Sequence, residues 1–71
     1  MDFKHDILPL KNIIFRTALR IALNREEAED IVQDTLMKLW ERRNELEKVE
    51  NLEAFALTMA RNLAIDRKEK M

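Results

Sequence analysis

Seventy-one residues confine the chain to one domain near the lower size limit for independent folding, and 46% hydrophobic with 38% charged residues allows a single core under a heavily charged surface. The lack of cysteine excludes disulfides and thiolate metal sites, and the single His5 excludes a histidine-pair metal site and most histidine-dependent catalysis. The net charge of −1 conceals a polarised chain: five basic against two acidic residues in 1–25, four against ten in 26–53, and four against two in 54–71. A uniformly basic nucleic-acid binder has no such pattern, whereas a protein with an acidic face for one partner and a basic face for another does.

The N-terminus, MDFKHDILPL, lacks the basic-then-apolar layout of a signal peptide, and no apolar run approaches the ~18 residues of a membrane span. A cytoplasmic protein is expected. Glycine is absent and proline occurs once, which argues against hairpins and glycine-rich phosphate loops. Asparagine is then the next best residue for caps and left-handed turns, and Asn24, Asn44 and Asn51 fall where helical periodicity breaks.

Residues 3–23 are predicted as the first helix. Phe3, Ile7, Leu10, Ile14, Ala18 and Ile21 recur at helical spacing, with Leu8, Phe15, Leu19 and Ala22 as a second stripe, enough to touch two neighbours. Pro9 fits only a first turn or a kink, so the regular helix is expected to start near residue 8. Asn12, Arg16 and Arg20 mark the wet side.

Residues 25–43 are predicted as the second helix, opened by Asn24-Arg25-Glu26-Glu27 as a capping box in which Glu27 reaches back to Asn24. Ala28, Ile31, Val32, Thr35, Leu36, Leu39 and Trp40 form its inward stripe. Acids crowd its first turns and Lys38, Arg42 and Arg43 its end, as the helix dipole favours. At about 100° per residue, Glu26, Asp30, Gln33, Asp34, Met37 and Glu41 share one outward strip with Lys38 at its edge. One reading is a solvated acidic face with a stray methionine. The other is a protein interface, an adaptable apolar knob ringed by carboxylates and an amide.

The segment Asn44–Glu50 is too polar for the core and reads as a connector; placed between Arg43 and Asn51, its alternative role is a pocket for an extruded base. The third helix is predicted over 52–69, capped by Asn51, with Leu52, Phe55, Ala56, Met59, Ala60 and Leu63 inward and Arg67, Lys68 and Lys70 in its basic last turns. Asn62 lies at the border of the apolar face beside Phe55. An asparagine there costs up to ~0.7 kcal/mol relative to alanine, to be offset by a local hydrogen bond or by a ligand. Asp66 falls on the apolar stripe, where a carboxylate needs a partner; a half-buried salt bridge to an arginine of the first helix is expected. Leu57 and Ile65 join Arg61 and Lys68 on a mixed outward surface. Three amphipathic helices spell an all-α, compact three-helix bundle over 1–71. No catalytic constellation, cofactor site or metal site can be assembled from these residues, so no enzyme is expected.

The stretch EEAEDIVQDTLMKLW over 26–40 resembles the "EDAEDivQdtFlklW" helix of region 2 in the extracytoplasmic-function sigma factors, and ARNLAIDR over 60–67 resembles that family's "ARNlaiDrlR" helix. The similarity covers nearly the whole chain, and the wording NLEAFALTMARN is most similar to versions common in Bacteroidetes. Phe55 stands where many relatives have tryptophan and Ala56 where they have leucine, departures that bear on packing. The resemblance implies the fold of sigma region 2 and a role in transcription initiation. It assigns Asp30, Gln33, Asp34, Met37 and Lys38 to docking on the coiled coil of the β′ clamp of core RNA polymerase. It sets Arg43, Asn44, Lys48, Asn51, Arg61, Asn62 and Arg67 against the single-stranded non-template strand of the promoter −10 element. An anti-sigma factor is a further partner that the resemblance allows. Members of that family continue into a second helical domain with a helix-turn-helix; this chain stops at Met71 and is expected to be either a truncated piece or one domain of a longer product, weak in DNA binding alone. Two rivals remain: a non-enzymatic helical interaction domain (an adaptor or sigma regulator), and a helix-turn-helix binder of duplex DNA.

Overall fold

Aspartate 2 starts the first helix by accepting a hydrogen bond from the His5 N–H at 3.4 Å, but regular α-helix lasts only over Phe3–Ile7 (α1). Pro9 has no N–H to donate, and the chain tightens into a 3₁₀ turn, Leu8–Leu10, before α-helix resumes over Lys11–Ala22 (α2). The first predicted helix is therefore two segments joined at a proline turn. The turn rotates Leu8 outward, so it is exposed and not part of the expected second stripe. These features belong to a computed structural model that describes residues 2–69, without the side chain of Phe3. The inward placement of Phe3 and the basic Lys70 lie outside the described residues.

The joint to the second helix shows what a chain without glycine must do. Leu23 ends α2 in the left-handed region, φ 59° and ψ 18°, its N–H donating to the Leu19 carbonyl at 2.9 Å. For a residue with a Cβ that conformation costs roughly 1–2 kcal/mol. The left-handed position goes to this leucine, not to asparagine; Asn24 is extended and accepts from the Glu27 N–H at 3.2 Å, capping Arg25–Glu41 (α3). Only this half of the expected capping box forms, because the Glu27 carboxylate turns toward Arg67.

Leu52–Glu69 (α4) starts from Asn51, whose side-chain oxygen accepts from the Ala54 N–H at 3.0 Å. Between α3 and α4 the chain is wound, not loose: Glu45 donates to the Arg42 carbonyl at 2.8 Å, and a 3₁₀ turn over Leu46–Lys48 follows. Leu46 is 3% exposed, so the connector, expected to be wholly polar, contributes a core residue that pins it to the bundle.

Among the described residues α2, α3 and α4 pack against one another pairwise and there is no strand, which makes the fold an all-α three-helix bundle. Its core is Ile7, Ile14, Ala18, Ala28, Ile31, Val32, Leu39 and Leu46, closed by Ala56, Ala60 and Ala64. Thr35 is buried among them, its hydroxyl donating to the Ile31 carbonyl at 2.7 Å. The buried line of α4 is made only of alanines. Residues this small let helix backbones approach closely, and the larger Phe55, Met59 and Leu63 are displaced to the flank, half-buried.

Trp40 departs from expectation. It is 49% exposed, at the last turn of α3, and not on the inward stripe. Ala64 takes a core place that the sequence pattern did not assign.

Candidate functional site

The outward strip of α3 stands on the surface as the helical wheel requires. Met37 is 62% exposed, Asp30, Gln33 and Lys38 are exposed, and Asp34 is half-buried. One exposed apolar side chain is ordinary on a protein surface, and Leu23 is more open still at 80%; what is particular to Met37 is its place among the carboxylates of the strip.

The strip is not electrostatically free. Arg67, from the last turns of α4, reaches across and donates from Nη2 to Asp34 Oδ2 at 3.0 Å. Its Nη1 lies 3.6 Å from Asp30 Oδ2 and 3.9 Å from Glu27 Oε2. Glu27 Oε2 is buried and has no hydrogen-bond partner among the described residues. The half-buried ion pair expected of Asp66 is thus made by its neighbour: Asp66 is exposed, and among the described residues it forms no salt bridge to the first helix. The alanine line 56, 60, 64 continues to position 67 and not to 66, since one residue turns the helix by about 100°.

The seam between the same two helices is open toward its other end. A groove of about 530 Å³ runs between the C-terminal half of α3 and the N-terminal half of α4. Phe55, Met59 and Leu63 form its apolar floor, and Lys38, Arg42, Thr58 and Asn62 its polar rim, with Glu41 as the one acid. Asn62 and Phe55 are neighbours here, as their spacing predicted. Among the described residues the Asn62 amide has no hydrogen-bond partner within the chain, so a local bond does not offset its place in the helix. A floor of ring and thioether beneath cations and amides suits a flat group with polar edges and a nearby negative charge.

Of the remaining residues expected at nucleic acid, four belong to the turn and connector after α3, Arg61 lies midway along α4, and one is an exception. Asn44 and Lys48 are exposed on the wound connector, Asn51 is exposed but committed to capping α4, and Arg61 is exposed on α4 beside Asn62. Arg43 folds back: its Nη1 donates to the Trp40 carbonyl at 2.9 Å and its guanidinium lies 4.0 Å from the Trp40 ring centroid. A half-exposed indole with an arginine against its face is a flat cationic surface. Arg67 is the exception, engaged on the acidic strip at the far end of α4. Of the mixed surface expected on α4, Ile65, Arg61 and Lys68 are exposed, while Leu57 packs partly against the core.

Sequence reasoning missed Arg42, Thr58 and the role of Met59. The available signal was the pair Lys38 and Arg42, four residues apart at the C-terminal end of α3, where Arg42 is the cap. Lys38 in consequence belongs to two surfaces, the edge of the strip and the rim of the groove.

Among the described residues no helix is long and apolar enough to cross a membrane, and no group of three or more metal-ligating side chains is placed to hold an ion. No curated protein and no solved structure matches the chain. A family model described as sigma-70 region 2 matches residues 7–70, which takes in α2, α3, the connector and α4. The chain therefore belongs to the sigma-70 region 2 family, the part of a sigma factor that engages RNA polymerase and promoter DNA in transcription initiation and that is not an enzyme class.

Proposed function

We propose that this is region 2 of an alternative sigma factor of the extracytoplasmic-function type, of the kind common in Bacteroidetes, acting in the cytoplasm without cofactor or metal. The strip of Asp30, Gln33, Asp34, Met37 and Lys38 docks on the β′ clamp coiled coil. The groove between α3 and α4, which Asn62 lines, holds bared bases of the non-template −10 strand together with Arg43, Asn44, Lys48, Asn51 and Arg61. In the whole protein a second domain with a helix-turn-helix reads the −35 element, and an anti-sigma factor is a further partner.

The observation that carries this reading is the groove and its rim. Promoter opening costs a few kcal/mol per unstacked step, and a site that accepts only an extruded base returns part of that. Apolar floor residues give stacking area, Asn62 offers both a donor and an acceptor to a base edge, and Lys38 and Arg42 on the rim, with Arg61, take phosphates, which fix register and carry no sequence information. Glu27, Asp30 and Asp34 of α3 lie at the other end of the seam, which leaves Glu41 as the acid of α3 at the groove.

The test compares single-stranded −10 oligonucleotides with the same sequence as duplex, by fluorescence anisotropy at fixed low salt. Single strands are expected to bind more tightly, and Asn62→Ala to weaken them without lowering the melting temperature, since alanine is the better helix former. Preference for the duplex would support the helix-turn-helix rival. Absence of any binding to a β′ clamp fragment, with Met37→Lys making no difference, would favour the adaptor.

A further inference from the structure

The contacts of Arg67 raise a question about the acidic strip. Three carboxylates, Glu27, Asp30 and Asp34, share one guanidinium, and only Asp34 receives a hydrogen bond from it. The arrangement is graded in depth. Asp30 and Asp34 open to solvent, their side chains 62% and 45% exposed, whereas the Glu27 side chain is 28% exposed and its Oε2 fully covered. An arginine is suited to this place because its planar fork can face several carboxylates at once and never loses its charge.

We propose that Arg67 is a positioning residue for the strip and an internal competitor of the protein that docks there, and not a contact to DNA. The proposal rests on the reading that the strip is the clamp-docking surface. A partner that meets two aspartates and a glutamine must bring cations or hydrogen-bond donors, and the two aspartates it meets are those Arg67 holds. When a partner cation takes Asp34 and Asp30 from the open side, Arg67 retreats toward Glu27, whose covered oxygen lacks a donor and lies 3.9 Å from Nη1. Glu27 thus keeps the displaced guanidinium from being stranded in a half-buried site, where an unpaired charge is costly. In the free protein Arg67 cancels one of the three negative charges and weakens the field that steers a cationic partner inward. The arginine therefore stabilises the isolated bundle and slows docking.

The experiment measures association and dissociation rates of the full chain with a β′ clamp coiled-coil fragment, together with thermal melting and single-strand DNA affinity. Arg67→Met is expected to associate roughly three- to tenfold faster at low salt, with the difference vanishing near ~1 M salt, where charges are screened within about 3 Å, while its melting temperature falls. Arg67→Lys keeps the charge without the fork and should associate within about twofold of the parent. Glu27→Gln removes the inner acid, leaves more of the guanidinium's charge on the outer pair and is expected to slow association; it serves if Arg67→Met does not fold. A purely structural arginine would lower the melting temperature and leave the low-salt association rate unchanged, which overturns the proposal. So would a loss of single-strand affinity in Arg67→Met with unaltered clamp kinetics. Met37→Lys, which does not touch Arg67, separates the two levels: if it leaves clamp binding intact, the docking reading itself falls and the proposal with it. If it abolishes binding while Arg67→Met brings no acceleration, only the role of Arg67 falls.

Discussion

The α3–α4 seam is closed at one end and open at the other, though the same two helices form both. At the closed end three acids of α3 meet Arg67 of α4, which answers one of their three charges within the chain. At the open end Lys38, Arg42 and Asn62 ring a groove whose floor is half-buried apolar surface. The contrast shows how a helix pair can divide its labour along its length. Residues that face one another with opposite charge zip the helices together. Where cations and polar side chains line the seam instead, a groove stays open between them.

Substitutions can break this contrast in a graded way. Ala60 is fully buried in the alanine line, and Ala60→Leu should force the helices apart at a cost of about 1–3 kcal/mol. Thermal melting would register that as a large drop, since 1 kcal/mol shifts a domain this small by roughly 4–8 °C; an unchanged melting temperature would mean that the seam is looser than its burial shows. Losing the closed end is gentler: Arg67→Met should cost about 1 kcal/mol, discounted for partial exposure of the pairs, and chemical denaturation with and without high salt would show the loss shrinking as salt rises. At the open end the effect moves from stability to binding. Asn62→Ala forfeits one neutral hydrogen-bonding group, so single-strand affinity in a titration should fall roughly three- to tenfold. The smallest effect lies at the α2–α3 joint and serves as a control for both ends. Leu23→Gly relieves a left-handed leucine that is 80% exposed and should raise stability by about 0.5–1 kcal/mol, with clamp and DNA binding untouched.

The helical architecture was legible in the sequence because amphipathic periodicity sums over many residues. The second helix, expected over 25–43, spans Arg25–Glu41, and the third agrees with the expected 52–69. What periodicity could not supply was any feature turning on a single residue. Pro9 admitted either a late start or a kink, and the kink wins because Asp2 caps a short helix ahead of it. Asp66 and Arg67 straddle the line that three alanines draw, and a wheel drawn through Leu52, Phe55, Met59 and Leu63 points to the wrong one of the two. Trp40 has the hydrophobicity of a core residue, yet at the last turn of α3 it stays half-exposed, with Arg43 against its ring. Leu46 was hidden by its neighbours, since Glu45, Glu47 and Lys48 set the polar average of the connector while the 3₁₀ turn aims the leucine inward. Of the site, the acidic strip and the adjacency of Asn62 to Phe55 were legible, because both follow from spacing within one helix. The groove was not, because it depends on where two helices part.

The methyl-only line of α4 separates two jobs that most small helical proteins assign to the same side chains. With alanines filling the interior, Phe55, Met59 and Leu63 are wall panels and not pillars, and each can change size or shape without leaving a hole in the middle of the bundle. Related sequences can therefore diversify what this cleft accepts by exchanging flank residues, at far smaller thermodynamic risk than mutating Ile31 or Leu39 would carry.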